Sequence, residues 1–260
     1  RNTRRQRQMC IRDRFLMFLP LKERSIKNLV LVLLQIKMNI SRLKTDYRKL
    51  DTKILKRWSK IPTCIVGDCM NRQNIMSSRI ESIENGMSLC GQARTVSVTH
   101  GDNSAIHAAL TLINKGEVLV VDGGGFLDRA VWGELMNRSS IKIGLEGVVI
   151  DGSVRDVAEL RKLSLPVFSA GINATGPTKG GGGKIDVLIS CGNVAIKPGD
   201  IIIGDDDGVA VIPLENNEKH YEESIEKIKM EEETIKEINS GKNHKDIFGI
   251  REIPYIIKKV

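Results

Sequence analysis

Between Leu50 and Pro213, short runs of β-branched and aliphatic residues alternate with stretches whose apolar residues return every three or four positions. That texture predicts strands interleaved with helices in one α/β domain over residues 50–213. LCGQARTVSVT (Leu89–Thr99) alternates like a half-buried strand, and NSAIHAALTLIN (Asn103–Asn114) has helical spacing with Asn103 or Ser104 available as N-cap. EVLVVDGGG (Glu117–Gly125) reads as a buried strand ending in a glycine turn. GVVIDGSVRD (Gly147–Asp156) repeats that arrangement after an intervening helix. Strand, helix and strand in this order predict a βαβ unit, with the two strands parallel and ending at the same sheet edge. Further on, LPVFSAG, KIDVLIS, NVAIKPGDIIIG and GVAVIPL are short strands between glycine, proline and aspartate turns, so this half is mostly β. Residues 214–260 are expected to form a C-terminal amphipathic helix and tail, because EESIEKIKMEEETIKEI carries isoleucine at helical intervals among Glu and Lys. No repeat of solenoid period is present.

Charge changes the picture only at the amino-terminal end. The formal net charge of +8 on 260 residues invites a nucleic-acid or anionic-membrane reading. Yet residues 1–50 hold 14 Lys and Arg against 3 Asp and Glu, leaving 26 against 29 elsewhere, so the body is mildly acidic. Neither nucleic acid nor a membrane is an expected partner. RRQRQMCIRD (Arg4–Asp13) coincides with one reading frame of a transposon-type sequencing adaptor. Residues 1–14 are therefore expected to be adaptor-derived, with a natural basic arm as the alternative. Residues 15–49 are expected to be a non-native or disordered leader, with Met38 a plausible start and a genuine peripheral helix as the alternative. Lys22, Glu23, Arg24 and Lys27 split the apolar runs of residues 15–37 well short of the ~18–20 residues that span a bilayer. Cys10, Cys64, Cys69, Cys90 and Cys191 form no C-x-x-C pair and have no histidine at zinc-finger spacing, which points to reduced thiols in the cytoplasm.

Candidate chemistry concentrates in WGELMNRSSIKIGLEGVVIDGSVRD, Trp132–Asp156. A helix plus a strand separate Glu134 from Arg155 and Asp156, the interval needed to bring them face to face at the carboxyl edge of the sheet, where open α/β sheets bind ligands. Carboxylates beside a guanidinium can hold a hard divalent cation and a carboxylate-bearing substrate together. The amides of Gly133–Met136 would add an anion site if they open the crossover helix. Surface ion pairs and helix caps account for the spacing equally well. Other features read as structure. GPTKGGGGKI (Gly176–Ile185) fails as a Walker loop, since Thr178 stands where glycine is needed and Ile185 where Ser or Thr should follow Lys184. Lys179 sits in a polar glycine-rich turn without the apolar burial that activates an amine. His100 and His107 suit structural roles near a helix start, and Asp205–Asp207 suit a hairpin turn.

GEVLVVDGGG, AVWGELM, GVVIDGSVRD, PVFSAG, GPTKGGGGKIDVLISCG and PGDIIIGDDDGVAVIP together resemble the RraA-like family over roughly residues 50–213. That family contains metal-dependent 4-hydroxy-4-methyl-2-oxoglutarate/4-carboxy-4-hydroxy-2-oxoadipate aldolases and a regulator of ribonuclease E activity. Its aldolases carry an acid-x20-Arg-Asp signature, met here by Glu134, Arg155 and Asp156; the acid is often Asp, one methylene shorter than Glu134. The resemblance implies a swivelling ββα-type sandwich and a homotrimer or homohexamer. It implies Arg155 and Glu134 as catalytic residues, Gly133, Glu134, Leu135, Met136 and Arg155 as substrate-binding, and Asp156 as ligand to Mg2+ or Mn2+. The activity so implied is cleavage of 4-hydroxy-2-oxo diacids to pyruvate, with oxaloacetate decarboxylation. The competing expectation is a non-catalytic protein that binds an RNA-processing enzyme. A methyltransferase is disfavoured, since no glycine-rich loop is followed by a ribose-binding acid.

Overall fold

The computed structural model describes residues 39–252 and 254. The expectation for residues 1–14, and that for residues 15–38, lies outside them. Described elements begin with strand β1 (Ile40–Arg42) and helices α1 (Thr52–Trp58) and α2 (Thr63–Cys69). There follow β2 (Glu81–Ser82), β3 (Leu89–Val98), α3 (Ser104–Leu110), β4 (Glu117–Trp132), α4 (Glu134–Ile143), β5 (Gly147–Val154), α5 (Val157–Leu160) and β6 (Val167–Ile172). The second half contributes β7 (Gly183–Ile185), β8 (Ile189–Cys191), β9 (Val194–Ile196), β10 (Ile201–Asp205) and β11 (Gly208–Ile212), and closes with α6 (Asn217–Asn239) and α7 (His244–Phe248).

Among the described residues nine strands form one mixed sheet in the order β1-β7-β3-β4-β5-β6-β2, with β10 also paired to β3 and β11 to β10. The strands β3, β4, β5 and β6 are parallel, as the βαβ reading requires. The apolar run Val118–Val121 is buried because the sheet is covered on both faces, and its two parities serve two cores. Leu119 and Val121 join Val148, Ile150 and the α3 residues Ile106 and Ala109. Val118 and Val120 face Phe168, Ile189, Ile202 and Val209. A third core packs Trp58, Ile65 and Val66 of α1 and α2 on Ile201, Ile203 and Ile212, sealed by Tyr221, Ile225 and Ile228 of α6.

Three expectations need correction. Strand β4 does not end at the glycines but continues to Trp132, with register shifts after Asp122, Phe126 and Ala130. Gly124 and Gly125 take φ of +65° and +68°, so they make a bulge inside the strand where a turn was expected. Strand β3 is almost wholly buried, not half-buried, because β4 pairs along one edge, β10 and β7 pair along the other, and its two faces meet separate apolar cores. The structured body also starts before Leu50. β1 pairs in parallel with β7, the Arg42 guanidinium meets Asp186 at 2.7 Å, and the Leu50 amide donates to Gln92 Oε1 at 2.8 Å. Residues 39–49 are therefore integral to the fold. At the other end the expected amphipathic helix is present, and GDDDG closes the β10–β11 hairpin with Asp205 opposite Gly208.

Candidate functional site

Parallel pairing sets Trp132 opposite Val154, so β4 and β5 leave the sheet at the same edge. The Arg155 amide donates to Trp132 O at 3.0 Å and holds the two exits together. Helix α4 starts at Glu134 behind an extended Gly133 cap, and its end at Ile143 is capped by Gly144 at φ +79°. Asp156 adopts a left-handed conformation, φ +60° and ψ +34°, which its short polar side chain tolerates. That turn brings the carboxylate back to the first turn of α4, where Oδ2 accepts the Glu134 amide at 3.1 Å and lies 3.7 Å from Arg155 Nε. A positive helix end facing a carboxylate is mutually favourable.

Two glycines leave room for this geometry. A Cβ on Gly133 would fall 2.6 Å from Asp156 Oδ2, and one on Gly176 would fall 2.7 Å from Arg155 Nη1. Arg155 and Asp156 are about two-fifths exposed and open into a cleft of about 420 Å3, shared with Asn103, His107, Gly133 and Lys179. Met136 is buried at its edge, where its sulfur accepts Asn103 Nδ2–H at 3.4 Å, while Leu135 stands on the rim 81% exposed.

The structure thus brings together Gly133, Leu135, Met136, Arg155 and Asp156. Glu134 contributes differently from expectation: its amide reaches the site, but its carboxylate accepts Arg138 Nε at 2.7 Å, one helical turn along α4. The sequence argument missed the opposite wall. Lys179 was set aside as a residue of a polar turn without apolar burial; it is indeed exposed, yet it lines the cleft, where its ammonium donates to Asn103 Oδ1. Burial lowers the Lys179 pKa and the Arg155 charge pushes the same way, against Asp102. Burial, helped by Lys179, likewise pulls His107 down to about 4, so its imidazole is neutral at pH 7. No local pattern marks this wall, since residues 103 and 179 meet only through tertiary packing.

The donor set bears on which metal could reside here. Among the described residues, no group of three or more His, Cys, Asp or Glu side chains converges, and at the cleft Asp156 is the carboxylate available. One hard oxygen donor suits Mg2+ or Mn2+, which retain several waters, and not the closed nitrogen and sulfur cages that hold structural zinc.

Residues 63–211 match the family described as RraA-like, Aldolase/RraA. A protein of Halalkalibacterium halodurans with the provisional name 4-hydroxy-4-methyl-2-oxoglutarate aldolase is 35% identical over 173 residues, 66% of this chain and 82% of its own. The structure of the RNA-processing inhibitor RraA from Thermus thermophilis is 29% identical with a TM-score of 0.54, covering 58% of this chain and 92% of that one. Streptomyces coelicolor RraAS2, described as an unusual member of the RNase ES inhibitor RraA family, shares the fold at 23% identity and a TM-score of 0.64, over 72% and 98% of the two chains.

Proposed function

Since this chain belongs to the RraA-like, Aldolase/RraA family, we propose that it is a divalent-metal-dependent carbon–carbon lyase. In this reading it cleaves 4-hydroxy-2-oxo diacids of the 4-hydroxy-4-methyl-2-oxoglutarate type to pyruvate and a second oxo acid, and also decarboxylates oxaloacetate. The observation that carries the reading is the meeting of the Arg155 guanidinium, the Asp156 carboxylate and the first amides of α4 in one open cleft. A mixed-charge cleft of this kind fits a small dianion better than an apolar ligand.

Asp156 would hold Mg2+ or Mn2+. When bound there, the cation would act as a Lewis acid toward the 2-oxo acid. The chain's own groups account for the remainder. Cleavage removes the C4 hydroxyl proton, breaks the C3–C4 bond and sends that electron pair toward the C2 carbonyl oxygen, giving the pyruvate enolate. Decarboxylation of oxaloacetate reaches the same enolate, so one site serves both. Arg155 neutralises the enolate oxygen as charge develops there. The Lys179 ammonium in the cleft wall and the α4 amides offer donors to the substrate carboxylates. Water oriented by Glu134 takes the hydroxyl proton, which requires the Glu134 carboxylate to leave Arg138.

We further propose a homotrimer or homohexamer in the cytoplasm, since the highly exposed Leu135 on the cleft rim, with Leu127 and Ile172, offers apolar surface to a second copy. No described helix is long and apolar enough to cross a membrane. The test of the function is a panel of 2-oxo acids assayed for pyruvate release with Mg2+ or Mn2+ and with excess chelator. Release that chelator abolishes is the expected result. Absence of release from every substrate would instead favour a non-catalytic regulator; the Thermus relative is described as an RNA-processing inhibitor.

A further inference from the structure

One side chain behind the cleft faces its lysine from a fully buried position. Asp102 Oδ1 accepts the Ser104 amide at 2.8 Å and Oδ2 accepts the Gly181 amide at 2.9 Å. Around it, the turn that opens α3 and the glycine-rich loop are joined nearly residue by residue. The Thr178 amide donates to Gly101 O, the Gly180 amide to Ser104 Oγ and the Thr99 hydroxyl to Gly181 O, each at 2.8 Å. A Cβ on Gly181 would lie 3.0 Å from Thr99 Cβ and 3.1 Å from Asp102 Cβ and Cγ, so the loop and the turn before α3 are in tight contact here. Between these fastened positions stands Lys179. A lysine carries about 2 kcal/mol of side-chain rotamer entropy, so its placement depends on how firmly its backbone is held.

We propose that Asp102 is a positioning residue: its buried carboxylate clamps the loop Thr178–Gly182 against the first turn of α3 and thereby presents the Lys179 ammonium in the cleft beside Arg155. The inference rests on the lyase reading for its catalytic consequence, but not for the clamp itself. Asp102 also supplies charge. The groups that face Lys179 are Asp102 from the turn before α3, His107 from α3 and Arg155 from the end of β5, and of these Asp102 alone favours the ammonium form. A neutral residue at 102 would leave burial and Arg155 unopposed.

The experiment uses the full chain labelled with 13Cε-lysine. The Lys179 resonance is assigned by its loss in Lys179→Arg and titrated by NMR, while pyruvate release from oxaloacetate is followed over the same pH range. In Asp102→Asn the Lys179 midpoint should fall by about one unit. The alkaline limb of the activity profile should move down by the same amount, and KM should rise more than kcat falls. Ser104→Ala frees the Gly180 amide without removing charge, so it should raise KM and leave the Lys179 midpoint at its wild-type value. A wild-type midpoint in Asp102→Asn overturns the proposal, whatever the activity. Should that variant not fold, amide exchange in the wild-type chain decides. Protection of Gly180 and Gly181 by about 10²-fold or more supports the clamp, and exchange at free-chain rates overturns it. If no 2-oxo acid releases pyruvate, the lyase reading fails while the Lys179 titration still tests the clamp.

Discussion

Arg94 and Arg155 each stand among carboxylates, and the contrast between them separates a structural cluster from a reactive one. Arg94 spends its guanidinium on Glu117, at 2.9 and 3.0 Å, and on Asp186, at 2.7 and 2.9 Å. Glu117 further accepts the Asn114 amide and side chain and the Tyr47 hydroxyl, and Asp186 accepts Arg42 Nε. The three central side chains are at most 6% exposed, and two carboxylates are balanced by Arg94 and the half-exposed Arg42. Burial, reinforced by Glu117, lifts the Tyr47 phenol to about 12, which keeps it a hydrogen-bond donor throughout the neutral range. Arg155 and Asp156 share one 3.7 Å contact, Asp156 also accepts the Glu134 amide, and both side chains open to solvent. The same residue types therefore do opposite things. A saturated, dry cluster has no valence left for a ligand, whereas an open one keeps its charge for a ligand to neutralise.

The comparison breaks most visibly at Asp156. Asp156→Ala is expected to reduce pyruvate release by more than about 10³-fold, with little recovery at high Mg2+ or Mn2+. Its thermal midpoint should fall modestly, because alanine takes the left-handed backbone at 156 less readily than aspartate and the Glu134 amide loses its acceptor. Unchanged turnover would sink the lyase mechanism. Arg94→Met should show the reverse pattern, leaving Glu117 and Asp186 buried without their central cation. Urea unfolding should report a loss of about 3–5 kcal/mol. A loss under about 1 kcal/mol would mean that the buried cluster is not the structural element described here.

Finer distinctions follow. Arg155→Lys keeps the charge and loses the planar fork, so kcat should fall by about 10²-fold while metal affinity, read by isothermal titration, stays put. His107 supplies a pH test on the cleft's far wall. Its native pKa of about 4 lies below the unfolded value of about 6.5, so the unfolded state binds the extra proton between those pH values. Its contribution is present above pH 6.5 and is lost as pH falls toward 4, about 2 kcal/mol of it by pH 5. His107→Asn should flatten that part of the stability profile, and an unchanged slope would contradict a buried neutral imidazole. The smallest effect belongs to Arg42→Ala, at the half-exposed edge of the saturated cluster. About 1 kcal/mol or less is expected, since Arg94 still holds Asp186.

Much of this molecule is legible along the chain because its signals are local. VLVV at 118–121 reads as a strand, the Ile-bearing segment after Glu215 as a helix, and GDDDG as a hairpin, each for reasons contained within a few residues. Where the reading went astray, a distant segment decided the outcome. Asp122–Gly125 looked like a turn because glycines usually break strands, but pairing with β5 carries the chain through as a bulge. Residues 39–49 looked like leader because they belong to the basic first fifty residues, and the partners that fix β1 lie more than a hundred residues away in β7. Glu134 was rightly placed at the helix start, but which way its carboxylate turns depends on Arg138.

Sequence alone determined the βαβ order and therefore that Glu134, Arg155 and Asp156 emerge at one sheet edge, because parallel strands joined by a helix must finish on the same side. Only the tertiary structure decided which charged groups are spent and which remain free. Arg94 meets Glu117 across 23 residues and Asp186 across 92, and Lys179 reaches Asn103 across 76. Burial and hydrogen-bond saturation are properties of a closed volume, and no stretch of sequence encloses one by itself.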